Sequence, residues 1–385
     1  MTSRRLRAPV AVLALAGLTT PILGARVDAV TPTPLSCATA LVTHWTLARL
    51  AAETIVVPVD ATAVSTMSSA ARDGFGGIIL FGSTGPRDFA QRLAAVQSAS
   101  VSGYPMAVMT DQEGGGVQRL TNLVPSIPWA KSMGSWSAAR ITAAAKRVGT
   151  ALVGLGVNVD LAPVLDVDAS SVFPGPANPD GLRSFSGSPS VVATDATAFA
   201  AGLAAAGVVA VAKHFPGLGG SNANTDVAPA HTRPWATLRA RDLVPFARAI
   251  HAGVPAIMLS NATVPGLTTL PSSISPIVVN YLRATMGFGG LIVTDSLGAG
   301  AISAVHLSVP AASVAALRAG ADEVLFGVPS PPATSLSLAR QVRAAIVAAV
   351  VKGTLARTTL VAAAAQVLAA RRLVSCPPPT TTTSL

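Results

Sequence analysis

The chain has 385 residues, half of them hydrophobic and only 11% charged, enough to bury a full core in one large domain or in two smaller ones. Its net charge of +10 comes from 27 basic and 17 acidic residues, yet aromatics make up just 4% and no basic stripe interleaves with them, which argues against nucleic-acid binding. Five histidines and two distant cysteines form no metal-ligand motif, so neither a metal nor an organic cofactor is expected.

At the N-terminus, Arg4, Arg5 and Arg7 precede an apolar stretch from Ala8 to Leu18, followed by Pro21 and the small residues Ala25 and Ala29. A positive segment, a short apolar core and a small-residue exit are what a secretory signal requires. Residues 1–29 are therefore assigned as a signal peptide, and the protein as exported, either secreted or associated with the cell envelope. The stretch is shorter than the ~20 residues needed to cross a bilayer, and no later segment is expected to span one. Residues 30–40, rich in Pro and Thr, are read as a spacer. Cys37 and Cys376 lie near the two ends of the mature chain, and export favours a disulfide between them over two free thiols.

From 41 to 374, short β-branched runs alternate with longer Ala/Leu-rich helical ones. The runs Thr54–Val59, Gly76–Phe81, Met106–Thr110, Val157–Ala162, Val208–Ala212, Ala256–Leu259, Leu291–Thr294 and Glu323–Phe326 predict strands. Helical patterns cover Ala138–Leu155, Val191–Ala206, Leu238–Ala252, Ile274–Met286 and Pro310–Ala319, and Leu338–Arg372 forms a long closing helical region. The strands are continuously apolar, as expected when both faces are covered. Repeats of this kind predict a single (β/α)8 TIM-like barrel of α/β class, with a doubly wound open sheet as the alternative. The Pro/Thr-rich tail 375–385 has no apolar content to dock and is expected to be flexible.

Polar residues stand at four of the strand ends. Lys213 and His214 emerge together from an apolar run and are stopped by Phe215-Pro216-Gly217. Asp111 opens the segment Asp-Gln-Glu-Gly-Gly-Gly-Val-Gln-Arg119, which as a Gly-rich run lacks the Lys-Ser/Thr of a phosphate loop. Asp160 within a strand reads as structural, since a lone buried charge is costly. Asp166 is expected to organise the loop leading to Arg183, whose fork of donors suits hydroxyl or carboxylate recognition, although a surface arginine would look the same. Asp295 ends the seventh strand, where a carboxylate can attack an anomeric carbon or cap a helix. Ser296 lies outside any Gly-x-Ser-x-Gly elbow, which argues against a serine hydrolase.

In this order the pieces Gly77–Phe81, Asp111–Gly115, Ala162–Asp166, Arg183–Phe185, Lys213–Gly217 and Thr294–Leu297 resemble the β-N-acetylhexosaminidase branch of glycoside hydrolase family 3, most closely its exported actinobacterial type. The resemblance covers roughly residues 41–373. It implies a single barrel that removes terminal β-linked N-acetylglucosamine with retention of configuration. Asp295 matches the nucleophile, and Asp111, Arg119, Arg183, Lys213 and His214 match positions that bind the sugar. The implied partner is a carbohydrate, with a monomeric enzyme acting on cell-wall fragments or related glycans.

Two departures stand out. Gly116 takes the place of an Arg in the family pattern. More seriously, the pattern after Lys-His-Phe-Pro-Gly carries an Asp-x-His dyad for proton transfer, whereas here Asp226 is followed by a histidine only at His231. His231 is then the candidate acid/base, because an imidazole is the side chain suited to proton transfer near neutral pH, with Asp226 as its orienting partner. The displaced histidine also leaves open a degenerate barrel that binds glycan without cleaving it. Lys213 and His214 could equally hold phosphate, which leaves open a phosphorylase.

Overall fold

The computed structural model describes Met1 and residues 33–100, 103–327 and 331–371. The signal peptide, the C-terminal tail and Cys376, and with Cys376 the expected disulfide to Cys37, lie outside the described residues.

Among the described residues eight parallel strands run β1 Ile55–Asp60, β2 Gly77–Phe81, β3 Ala107–Thr110, β4 Val159–Asp160, β5 Val209–Phe215, β6 Ala256–Leu259, β7 Leu291–Thr294 and β8 Val324–Leu325. Their order is β7-β6-β5-β4-β3-β2-β1-β8. The ends of that order meet: Val293 bridges Glu323 in parallel, and the Thr294 N–H donates to the Glu323 carbonyl at 3.0 Å. The fold is thus a (β/α)8 barrel, and the open doubly wound sheet is set aside because its edge strands would not meet.

Alternation along each strand explains why the strands read as apolar runs. Alternate residues such as Val56, Ile79, Met109, Val211, Met258 and Val293 cluster inside the barrel, while Val57, Ile78, Val108, Ala212, Ile257 and Ile292 join the larger core beneath the helices. Both faces are buried, so neither tolerates polar residues until a strand leaves the barrel. The same period of two fixes where the polar ends point. Met109, Val211 and Val293 face inward, so Asp111, Lys213 and Asp295, two residues on, project into the mouth at the carboxyl ends of the strands. The pairing of β5 with β6 shifts register between Ala212 and Phe215, which lets His214 line the same space as its neighbour Lys213.

Four sequence expectations change. Residues 34–40, assigned to a spacer, belong to the helix Pro34–Val42, capped where Thr33 Oγ1 accepts the Ser36 N–H and anchored by buried Ala38 and Val42. The closing helical region is two helices, Pro332–Val351 and Arg357–Ala370, broken where Gly353 takes a φ of +72° that an L side chain resists. The first of these is, by length and composition, apolar enough to cross a membrane, contrary to expectation. Its Leu336, Ala339, Val342 and Ile346 are nevertheless buried in the core, as in a barrel helix packed on β1. The segment Leu238–Ala252 is helical but composite, with a wide π turn at Leu238–Asp242 ahead of Leu243–His251.

Candidate active site

A cavity of about 420 Å³ opens at the carboxyl ends of the strands, and its walls include Asp111, Arg119, Arg183, Lys213, His214, Asp226 and Asp295. The candidate nucleophile, the candidate sugar-binding residues and Asp226 are therefore in one place, whereas His231 and Asp166 are not among the lining residues.

The deep wall is an ion network. Lys213 Nζ lies 2.7 Å from Asp111 Oδ1 and 2.7 Å from Glu113 Oε1. Arg183 donates to both Glu113 oxygens, from Nε at 2.8 Å and Nη2 at 2.7 Å, and from Nη1 to the Pro179 carbonyl at 2.9 Å. Arg119 stands 3.6 Å from Asp111 Oδ2 across the rim. Burial alone would raise the Glu113 carboxyl, but Arg183 and Lys213 outweigh it and hold it well below the usual range. Asp111 is lowered in the same way, burial being outweighed by Lys213 and Arg119. Lys213 is raised: its two carboxylate partners overcome desolvation. These groups stay charged, with Asp111 and Arg119 partly open to the cavity for hydroxyl groups.

Glu113 was not singled out in the sequence. The signal available was its spacing: two residues beyond Asp111, it continues the inward parity of β3.

Beneath the wall, the Asp166 carboxylate is engaged by His214 and Leu218 rather than by the arginine of the loop it was expected to organise. Its carboxylate accepts the Leu218 N–H at 2.6 Å, the His214 N–H at 3.2 Å and His214 Nδ1 at 2.6 Å. Its carbonyl ties down the Arg183 loop as expected, accepting Ser184 Oγ at 2.6 Å. Desolvation, reinforced by Arg183, lowers His214 to about 4, so the ring is neutral, with Nδ1 donating to Asp166 and Nε2 left to accept from Arg183 Nη2 at 3.4 Å. Asp160 is structural, as expected: its Oδ1 accepts the Gln112 N–H at 2.9 Å, and desolvation raises it to about 8.

Asp295 lines the cavity and accepts its neighbour's N–H, Ser296 N, at 2.7 Å. It does not cap the following helix, Gly300–Ser303, whose N-cap is Ala299. Burial raises its pKa, countered by His214 and Lys213 and reinforced by Asp226.

The loop after Gly217 separates the two proton-transfer candidates. Asp226 lines the cavity. His231 is exposed and outside the lining, its N–H on Asn222 Oδ1 at 2.7 Å and its Nδ1 3.1 Å from the Thr232 carbonyl. Asp226 lies within a turn from Asn224 to Ala228, whereas His231 comes after it and bridges Thr263 beyond β6.

The glycine run after Asp111 serves packing. Gly115 has a φ of +58°, and a Cβ there would lie 2.0 Å from the Trp129 ring; at Gly116 it would lie 2.8 Å from the same ring. Trp129 therefore accounts for Gly116 where the family pattern has Arg. Asp166, Asp180 and His214 place one ligand atom each within 4.8 Å of one another, but the Arg183 guanidinium already brings positive charge against that group.

Residues 50–370 match the model of the glycosyl hydrolase family 3 N terminal domain. A β-hexosaminidase of Xylella fastidiosa is 33% identical over 299 residues, 74% of this chain and 86% of that protein. The crystal structure of a β-N-acetylhexosaminidase from Beutenbergia cavernae is 32% identical, with a TM-score of 0.76 over 85% of this chain and 98% of the other. A family 3 glycosyl hydrolase from Mycobacterium smegmatis is likewise 32% identical, with a TM-score of 0.74 over 84% and 98% of the two chains. The chain belongs to glycosyl hydrolase family 3 and falls among its β-hexosaminidase relatives.

Proposed function

We propose that this protein is an exo-acting, retaining β-N-acetylglucosaminidase that removes terminal β-linked N-acetylglucosamine through a glycosyl-aspartate intermediate on Asp295. The observation that carries the reading is that Asp295 shares one cavity with Lys213 and His214, in a chain whose relatives bear the name β-hexosaminidase. A cavity of about 420 Å³ suits one terminal sugar rather than the interior of a chain.

In this reading Asp111 and Arg119 at the rim, with Arg183, Lys213 and His214 behind them, bind the hydroxyls of the terminal residue. Their fixed charges and dipoles act without reorganising as charge develops at C1. Asp295 must be ionised to attack, and the nearby Lys213 cation favours that form against its burial.

Purified protein incubated with an aryl β-N-acetylglucosaminide should release the phenol and the sugar, and a 5-fluoro analogue that keeps the 2-acetamido group should leave a covalent adduct on Asp295 detectable by mass spectrometry. Equal hydrolysis by wild type and Asp295→Ala would remove the nucleophile assignment. Export, a monomeric state and cell-wall fragments as the natural glycan belong to the same proposal. Amino-terminal sequencing of protein from culture medium, light scattering, and digestion of purified wall fragments test them in turn.

A further inference from the structure

We infer that Asp226 is itself the proton donor and acceptor of this site, so that the pair acting on the glycosidic bond consists of two aspartates. The inference rests on the glycosidase reading above, because a displacement at C1 by Asp295 calls for a second group that protonates the leaving oxygen.

Of the titratable side chains lining the cavity, Asp226 is the one left free to do this. Asp111 and Glu113 are tied to Lys213 and Arg183 and held as carboxylates, and an ion-paired carboxylate is a poor acid. His214 has its Nδ1 on buried Asp166 and its Nε2 facing the Arg183 guanidinium, with no proton to give on the side of the cavity. The Asp226 carboxylate has no hydrogen-bond or ion-pair partner among the described residues, and it interacts electrostatically with Asp295.

The backbone holds Asp226 in this place. Its carbonyl accepts the Gly300 N–H at 2.9 Å and the Thr225 carbonyl accepts the Ala301 N–H at 3.0 Å, which pins the loop to the helix that starts five residues after Asp295. Asn224 Oδ1 accepts the Asp226 N–H at 2.9 Å, and the Asn224 N–H donates to the Pro176 carbonyl at 2.8 Å on the opposite lip. Gly300 has no side chain because the loop backbone occupies that space: a Cβ would lie 2.6 Å from the Val227 carbonyl carbon. Five residues further on, His231 shares none of these anchors.

The two half-reactions balance with these groups alone. First, an Asp295 oxygen bonds to C1 while the bond from C1 to the leaving oxygen breaks, its electron pair staying on that oxygen, which takes the Asp226 proton. Then a water oxygen bonds to C1, Asp226 takes the proton of that water, and the C1–Asp295 bond breaks to restore the carboxylate.

The test compares wild type, Asp226→Asn and His231→Ala on chitobiose and on 2,4-dinitrophenyl N-acetyl-β-glucosaminide, with and without azide. In Asp226→Asn, chitobiose hydrolysis should fall by roughly 10²- to 10⁴-fold, the usual worth of general acid catalysis. The dinitrophenyl substrate, whose leaving group needs no proton, should still form the Asp295 adduct, and azide should accelerate its turnover with β-glycosyl azide as product. An unchanged dependence on the leaving group in Asp226→Asn overturns the inference, as does that dependence appearing in His231→Ala instead. Failure of wild type to hydrolyse either substrate would remove the glycosidase reading and this inference with it, whereas active wild type with an indifferent Asp226 variant removes only the latter.

Discussion

The two sides of the cavity are built in opposite ways. The inner wall, with Asp111, Glu113, Arg183 and Lys213, is mostly buried and closed on itself by ion pairs at 2.7–2.8 Å. The loop side, with Asp226, is exposed and held by its backbone, leaving its carboxylate unpartnered among the described residues. A wall of paired charges suits recognition, because its groups are fixed in charge and place before a ligand arrives. A carboxylate that must gain and lose a proton in every turnover is better served by positional rather than electrostatic restraint. Asp295 sits between them, which makes it the residue whose loss should abolish the distinction: Asp295→Ala should lower kcat on every substrate, activated or not, on the order of 10⁵-fold. Steady-state rates with two aryl leaving groups check this; a loss confined to one of them would mean that the two sides do not meet at Asp295.

The next largest effect should come from the wall. Glu113→Gln keeps the shape but removes the charge that Arg183 and Lys213 share, leaving two cations close together in a mostly buried site. Breaking one partner of a buried ion network typically costs on the order of 3 kcal/mol of stability. Displacing the cations that hold the sugar should lower kcat/KM by about 10²-fold, the scale of an ångström-level misplacement. Denaturant unfolding and kinetics on the same preparation check both halves. Wild-type stability together with wild-type kcat/KM would show that the wall is not a preorganised unit.

How far each side was legible in the sequence follows from the same contrast. Asp111, Lys213 and Asp295 lie on or just past strand ends, where a period of two carries on the inward direction of Met109, Val211 and Val293. Glu113 obeyed the same parity but was hidden inside an apparent glycine loop, and its role depends on Arg183, 70 residues away. The link between Asp166 and His214 was likewise unreadable, because it forms where β5 breaks register, and a register break leaves no mark in the apolar pattern. On the loop side no period operates. Position there depends on hydrogen bonds to Pro176, Gly300 and Ala301, so spacing alone could not tell that Asp226 enters the cavity while His231 turns outward. The helix at Pro34–Val42 was missed for a related reason: its Pro/Thr composition suggests a linker, but Thr33 and Pro34 are also a good helix start.

Acid should separate the two sides more gently. Glu113 has a folded pKa below its ordinary value of 4.5, so between the two the unfolded chain binds more protons than the folded one. Its contribution is fully present above about 4.5 and is lost as pH falls below that value. Wild type should therefore lose melting temperature between pH 5 and pH 3, and Glu113→Gln, already lower at pH 5, should lose less over that interval, with about 1 kcal/mol or more of the slope removed. Calorimetry at the two pH values reads the difference, and parallel slopes would show that Glu113 titrates normally.

The smallest effect should come from moving the loop without touching any charge. At Gly300 the clash would be with the backbone of Val227, which cannot rotate away, so Gly300→Val has to push the loop outward. The substitution leaves Asp111, Glu113, Arg183, Lys213 and Asp295 in place, and it lies in a short helix where valine costs only a few tenths of a kcal/mol more than most residues. Binding of N-acetylglucosamine should then stay near wild type while hydrolysis of a poor leaving group falls by about tenfold, with an activated aryl substrate less affected, because a proton donor moved by a fraction of an ångström loses part of its advantage. Calorimetric titration with the sugar, paired with rates on the two substrates, reads both. If binding and hydrolysis fall together, the loop is part of the recognition wall, and the division between a paired wall and an unpaired loop does not hold.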